Sequence, residues 1–169
     1  MQPSPNNAAP SPVLPARKKL PHDVPFWVPE NAVYFITINC LPRHENHLAR
    51  PRVAEAVGQS LLHNQTAGKW WVWLFLLMPD HLHALLSFSR EKPIRNVVEH
   101  WKRFHAARLR VNWQSNFFEA RVRDRAALVE KRDYIRQNPV RKGLVAHPDD
   151  WPYQWHYGCA KEQPADLVW

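Results

Sequence analysis

Cysteine is nearly missing from this chain: Cys40 and Cys159 are the only two in 169 residues. Two distant thiols make no disulfide framework and are too few for a cysteine-based zinc site. Free thiols in a reducing cytoplasm are the expectation. Long apolar runs are missing too. The longest, Trp70 to Met78, is too short to span a bilayer. The N-terminus lacks the apolar stretch of a secretory leader, so none is expected. Acidic residues are outnumbered, 15 against 23 lysines and arginines, for a formal charge of +8. No long basic amphipathic segment stands out, which disfavours an acidic membrane surface as the partner and leaves nucleic acid. Internal repeats are absent as well.

What is present is a foldable core. The hydrophobic fraction of 45% and the aromatic fraction of 12% belong to a packed chain rather than a disordered one. The length suits one domain. Residues 1–30 are rich in Pro, Asn, Ser and Ala, carry Arg17-Lys18-Lys19, and read as a flexible arm. Residues 31–145 hold the periodic segments of the domain. Residues 146–169, with Trp151, Tyr153, Trp155, Tyr157 and Trp169, are expected to pack back over it.

Within the domain, Ala32 to Cys40 is β-branched and aromatic and reads as a strand. Pro51 opens a helix over 51–65, in which Val53, Val57 and Leu61 recur every four residues. Trp70 to Met78 and His81 to Phe88 are two strands around the Pro79-Asp80 turn. A second helix spans 93–110, with Ile94, Val97, Val98, Trp101 and Phe104 toward the core and Arg95, Lys102, Arg103 and Arg110 outward. Asn116 to Val122 is a short fourth strand. Asp124 caps a last helix that Pro139 and Gly143 should end near Asn138. The order predicts an α+β fold, a ferredoxin-like split β-α-β sheet (β-α-β-β-α-β) with an added C-terminal helix.

Two motifs carry the chemistry. His81 and His83 flank Leu82 on a strand, so both imidazoles share one sheet face. Neutral imidazole is a common ligand for divalent metals, and two such ligands do not complete a site. The plainer alternative is two polar residues on an exposed sheet face. Tyr134 and Asn138 stand four apart on the last helix and share a face if the helix persists. Pro139 disfavours helical geometry at Asn138. If the face holds, the Asn138 carbonyl oxygen adds a hard ligand, and Tyr134 is a nucleophile in need of activation. The plainer alternative for Tyr134 is a packed ring with a wet hydroxyl.

Met78 through Leu86 (Met-Pro-Asp-His-Leu-His-Ala-Leu-Leu) resembles the His-hydrophobic-His segment of the HUH single-strand DNA nucleases. Tyr134 through Val145 resembles the catalytic helix of the single-tyrosine transposases. The Asn four residues after the Tyr makes it most similar to their REP-associated tyrosine transposase branch. Trp113-Gln114, Phe117-Phe118, Arg121, Arg123-Asp124 and Asp150-Trp151-Pro152 are similar to that branch too. The resemblance covers roughly residues 25–155. It departs at Glu119-Ala120, where such proteins often carry an Asp-His-like pair, and the proline-rich arm lies outside the pattern.

The resemblance implies metal-dependent cleavage and rejoining of single-stranded DNA beside a hairpin. Tyr134 is then the catalytic residue and forms a 5′-phosphotyrosine. His81, His83 and Asn138 hold one divalent metal, Mg²⁺ or Mn²⁺. Lys102, Arg103, Arg110, Arg121, Arg123, Arg132 and Arg136 give a basic surface for DNA phosphates. A cytoplasmic, nucleoid-associated bacterial protein is implied, as monomer or homodimer. Two other readings stay open. One is a non-catalytic, domesticated hairpin or single-strand binder, although the aromatic consensus of RNA-recognition sheets is missing. The other is a metal phosphoesterase using water, although no second His pair or carboxylate cluster accompanies the first.

Overall fold

The computed structural model describes residues 32–156. Its elements are β1 (Val33–Asn39), α1 (Pro51–Thr66), β2 (Trp70–Leu77), β3 (His81–Phe88), α2 (Ile94–Leu109), β4 (Phe118–Arg121), α3 (Arg125–Arg141), a 3-10 turn (Pro148–Asp150) and β5 (Gln154–Trp155). The strands form one sheet in the order β4-β1-β3-β2-β5, every neighbouring pair antiparallel. The first four strands and two helices make the expected split β-α-β sheet. All eight residues of β3 are buried, as a central strand covered on both faces requires.

Alternation along the strands sorts side chains into two cores. On one face Ile36, Ile38, Leu82 and Leu86 meet Val57 and Leu61 of α1 and Val98 and Trp101 of α2. On the other, Phe35, Leu76 and Leu85 meet Ile135 of α3 and Trp151. The sheet therefore separates α1 and α2 from α3. Among the described residues no helix is long and apolar enough to cross a membrane.

Three details differ from the expectations. First, α3 runs through Pro139 to Arg141. Proline cannot donate to the ladder, but Asn138 Nδ2 donates to the Tyr134 carbonyl at 2.7 Å and Lys142 N to the Asn138 carbonyl at 3.0 Å. These bonds hold the turn in helical form, and Gly143 (φ +66°) follows the helix end. Second, Phe104 is not in the core: it is 47% exposed. Lys102, one turn after Val98, is buried in its place. Third, Gln154 and Trp155 form a fifth strand on β2. The Trp155 indole lies so close to α1 that a Cβ on Gly58 would meet its Nε1 at 2.9 Å, so this contact needs a glycine there. The arm at 1–30, Tyr157 and Trp169 fall outside the described residues.

Candidate functional site

His81 and His83 open β3 on the face that α3 covers. The turn before them is braced by the loop after β1. Cys40 N donates to the Asp80 carbonyl at 2.8 Å, and His47 N and Leu48 N donate to the Pro79 carbonyl at 2.8 and 3.0 Å. Register places Thr37 of β1 opposite His83 and Asn39 opposite His81.

Each imidazole is held by its Nδ1. His81 Nδ1 lies 2.6 Å from the Asp80 carboxylate Oδ1, and His83 Nδ1 lies 2.8 Å from Thr37 Oγ1. Partners of this kind fix ring orientation and tautomer. They leave Nε2 as the ring nitrogen for a ligand. The two rings are 4.8 Å apart, and Phe35 stacks on His83 at 5.6 Å. Burial pushes both histidines below their ordinary pKa, and His83 falls to about 3, with His81 and Arg43 adding to the effect. Both are therefore neutral near pH 7, the form that binds a metal. Asp80 behaves in the opposite sense. Burial alone would raise its carboxyl, but the hydrogen bonds from His81 and the His44 N–H, with Arg43 nearby, hold it down at about 2. Arg43 Nε sits 3.0 Å from Asp80 Oδ2, and the His44 N–H donates to the same oxygen at 2.8 Å.

Tyr134 projects from α3 toward this pair. Its ring lies 5.6 Å from that of His83 and 6.0 Å from that of Phe35, and it is 40% exposed. The Arg141 guanidinium sits 5.4 Å over the ring. Asn138 is buried one turn further on. Its Nδ2 is spent on the Tyr134 carbonyl, so Oδ1 is the atom left to act as a ligand. Among the described residues no three His, Cys, Asp or Glu side chains converge on one point. A metal bound here would draw on the two imidazoles and on an amide oxygen or water. Two neutral, oriented imidazoles with an amide oxygen fit a divalent ion such as Mn²⁺ or Mg²⁺.

The basic residues do not form one surface. The Lys102 ammonium donates to the Gln114 and Ser115 carbonyls at 2.7 and 2.9 Å and is buried, so it ties down the segment before β4 and offers nothing to a phosphate. Arg103 and Arg110 are exposed at α2, across the sheet from the histidines. Arg121 and Arg123 are exposed at the end of β4 and before α3. On and beside α3, Arg132 pairs with Asp133 at 3.1 Å and Arg136 pairs with Asp149. Sequence reasoning missed Thr37, whose role depends on strand register. It named Phe118 without a place: the ring is 58% exposed and meets Phe35 edge-on at 6.1 Å, beside Tyr134.

No protein-family model matches the chain. A REP-associated tyrosine transposase of Escherichia coli K12 is 31% identical over 84 residues, covering 47% of this chain and 50% of that protein. A protein of Haemophilus influenzae assigned to the same group is 29% identical over 94 residues, covering 46% of this chain and 53% of the relative. The chain thus spans about half the length of the curated relatives it matches. A solved REP-associated tyrosine transposase bound to a REP hairpin aligns with a TM-score of 0.63 at 22% identity, covering 78% of this chain and 80% of that one. In sequence this chain is similar to the REP-associated tyrosine transposases, and it shares the fold of the one solved with its hairpin.

Proposed function

We propose that this chain cuts and rejoins single-stranded DNA beside a hairpin, with Tyr134 as nucleophile. The observation that carries the reading is the Tyr134 ring 5.6 Å from His83, beside two imidazoles each held by its Nδ1. The DNA-processing class and the hairpin partner are supported by the sequence relatives and by the hairpin held in the solved protein of the same fold.

In this reading the phenolic oxygen of Tyr134 forms a bond to phosphorus and the bond to the 3′ oxygen breaks. The Tyr134 proton leaves to solvent, and the departing strand ends in a 3′ hydroxyl that gains one. The 5′ phosphate stays on Tyr134. One phosphoester replaces another, so a 3′ hydroxyl reverses the step without ATP. His81, His83 and Asn138 would hold the divalent ion, which when bound polarises the phosphate and stabilises its charge. Thr37 and Asp80 keep the imidazoles aimed. Arg121, Arg123, Arg132 and Arg136 contact backbone phosphates, and the exposed ring of Phe118 is positioned to stack a base near the scissile bond.

The test is a denaturing gel with labelled single-stranded DNA hairpins from the flanks of the chain's own gene, with Mg²⁺ or Mn²⁺. A covalent adduct lost in Tyr134→Phe and in His81→Ala/His83→Ala is the expected result. An adduct that survives Tyr134→Phe sinks the assignment. Hairpin that is shifted but uncut with both metals points to a binding-only protein.

A further inference from the structure

A groove of about 300 Å³ opens between α1 and α2 on the helical layer, across the sheet from the histidine pair. Its volume is at the lower end for ligand sites and suits one nucleotide rather than a duplex. The floor is fixed. Trp101 Nε1 donates to Ser60 Oγ at 3.0 Å, His105 Nε2 lies 2.9 Å from the same oxygen, and His105 Nδ1 donates to the Trp101 carbonyl at 2.8 Å. Trp101 is thereby held in place as the base of the groove.

The walls hold two cations, Lys69 and Arg108, two imidazoles and an aromatic ring. His63, Lys69, His100 and Arg108 line the groove together with Phe104, and no carboxylate does. The acidic side chains of the two helices, Glu55 and Glu99, stay outside the lining, Glu99 tied to Arg95 at 2.7 Å. Phe104 stands 47% exposed, next to His105, which takes the buried position on that turn. Gln59 and Asn64 put amide groups on the same walls. Arg103 and Arg110, exposed at the same helix, carry positive charge beyond the groove. An exposed ring beside cations and amides, with no acid among them, is complementary to an unpaired nucleotide. The base stacks on the ring and the phosphate meets the cations.

We propose that the α1–α2 groove is a second single-stranded DNA site, taking an unpaired nucleotide on Phe104 with its phosphate on Lys69 and Arg108. The inference rests on the reading that this chain handles single-stranded DNA. It adds a contact on the face opposite Tyr134, so a strand leaving the hairpin engages both layers.

The test needs neither a hairpin nor a metal. The full chain is irradiated with an oligothymidylate long enough to reach both layers and carrying 5-iodo-deoxyuridine, and the crosslinked peptide is identified by mass spectrometry. The expected crosslink is in the peptide holding Phe104. Phe104→Ala should weaken binding of the same oligonucleotide about tenfold. Arg108→Gln should lower the slope of log affinity against log salt by about 0.7. Both side chains are exposed, and matching thermal melts verify that the variants fold. Crosslinks confined to peptides around Phe118 and Tyr134, or unchanged affinity and salt slope in both variants, overturn the proposal. A Tyr134 adduct together with either of those results removes this site and keeps the cleavage reading. A Phe104 crosslink without any Tyr134 adduct does the reverse.

Discussion

Asp80→Asn tests the candidate metal site through a residue that is not itself a ligand. The wild-type carboxylate accepts from His81 Nδ1 at 2.6 Å, from the His44 N–H at 2.8 Å and from Arg43 Nε at 3.0 Å. Together these hold its pKa at about 2 against an ordinary 3.8. At about 1.4 kcal/mol per unit, that difference is worth roughly 2 kcal/mol of stability in the metal-free protein. The folded value is depressed, so this stability is present above pH 3.8 and is lost as pH falls through about 2. An amide keeps the shape and removes the charge. It can also turn its NH₂ toward His81, which would reverse the tautomer. We expect Asp80→Asn to lose about 2 kcal/mol in urea melts at pH 7. Loss of such an outer partner typically costs ~10–100-fold in metal affinity, and Mn²⁺ titration by calorimetry measures it. A folded Asp80→Asn protein that binds Mn²⁺ as tightly as wild type would refute the claim that this carboxylate aims His81.

Three further outcomes follow from packing and charge. Lys102→Met should destabilise by ~0.5–1.5 kcal/mol, because the part-buried bonds to the Gln114 and Ser115 carbonyls are lost, yet leave the salt slope of DNA binding unchanged; a slope lowered by ~0.7 would put the ammonium on DNA. Gly58→Ala should lower the thermal midpoint by the equivalent of ~1–3 kcal/mol, since its Cβ meets Trp155 Nε1 at 2.9 Å. In a Trp155→Ala background the same change should become neutral or stabilising, by helix propensity. Burial lowers the pKa of His81, His83 and His105 below 6.5. The unfolded chain therefore binds more protons, and stability is full above pH 6.5 and falls as pH drops below it, by up to ~1.4 kcal/mol per pH unit for each histidine. Urea melts at pH 7 and 5 should show the loss, and His105→Leu should reduce its pH dependence; an identical slope would mean His105 is not held neutral.

What the sequence reveals and what it hides divide along the range of the interaction. The strand period sets His81 and His83 on one face, and the helix period sets Tyr134 beside Asn138, because both signals are local. Pro139 is a local signal that misleads: the bond from Asn138 Nδ2 to the Tyr134 carbonyl keeps the turn that the proline weakens. β5 is two residues long, too short to show any period. Thr37 is out of reach for a different reason. Its hydroxyl meets His83 across 46 residues, and only strand register decides that pairing.

The charges are where composition misleads most. Lys102 and Phe104 are two residues apart on α2, and polarity alone puts the first outside and the second inside. The structure reverses both. Lys102 lies one turn beyond buried Val98, and its ammonium finds two carbonyls at the edge of the core. A long apolar stem makes that burial tolerable once the head is paired. Phe104 is turned outward by the same rotation of the helix. The arginines that cluster in sequence are likewise divided in space, because α2 and α3 pack on opposite faces of one sheet. A basic stripe on a single surface would let DNA bind one layer only. If both exposed rings, Phe118 and Phe104, take bases as proposed, one strand has to reach around an edge of the sheet. That requirement makes length testable: a strand too short to reach both rings should lose the contribution of Phe104 while keeping that of Phe118.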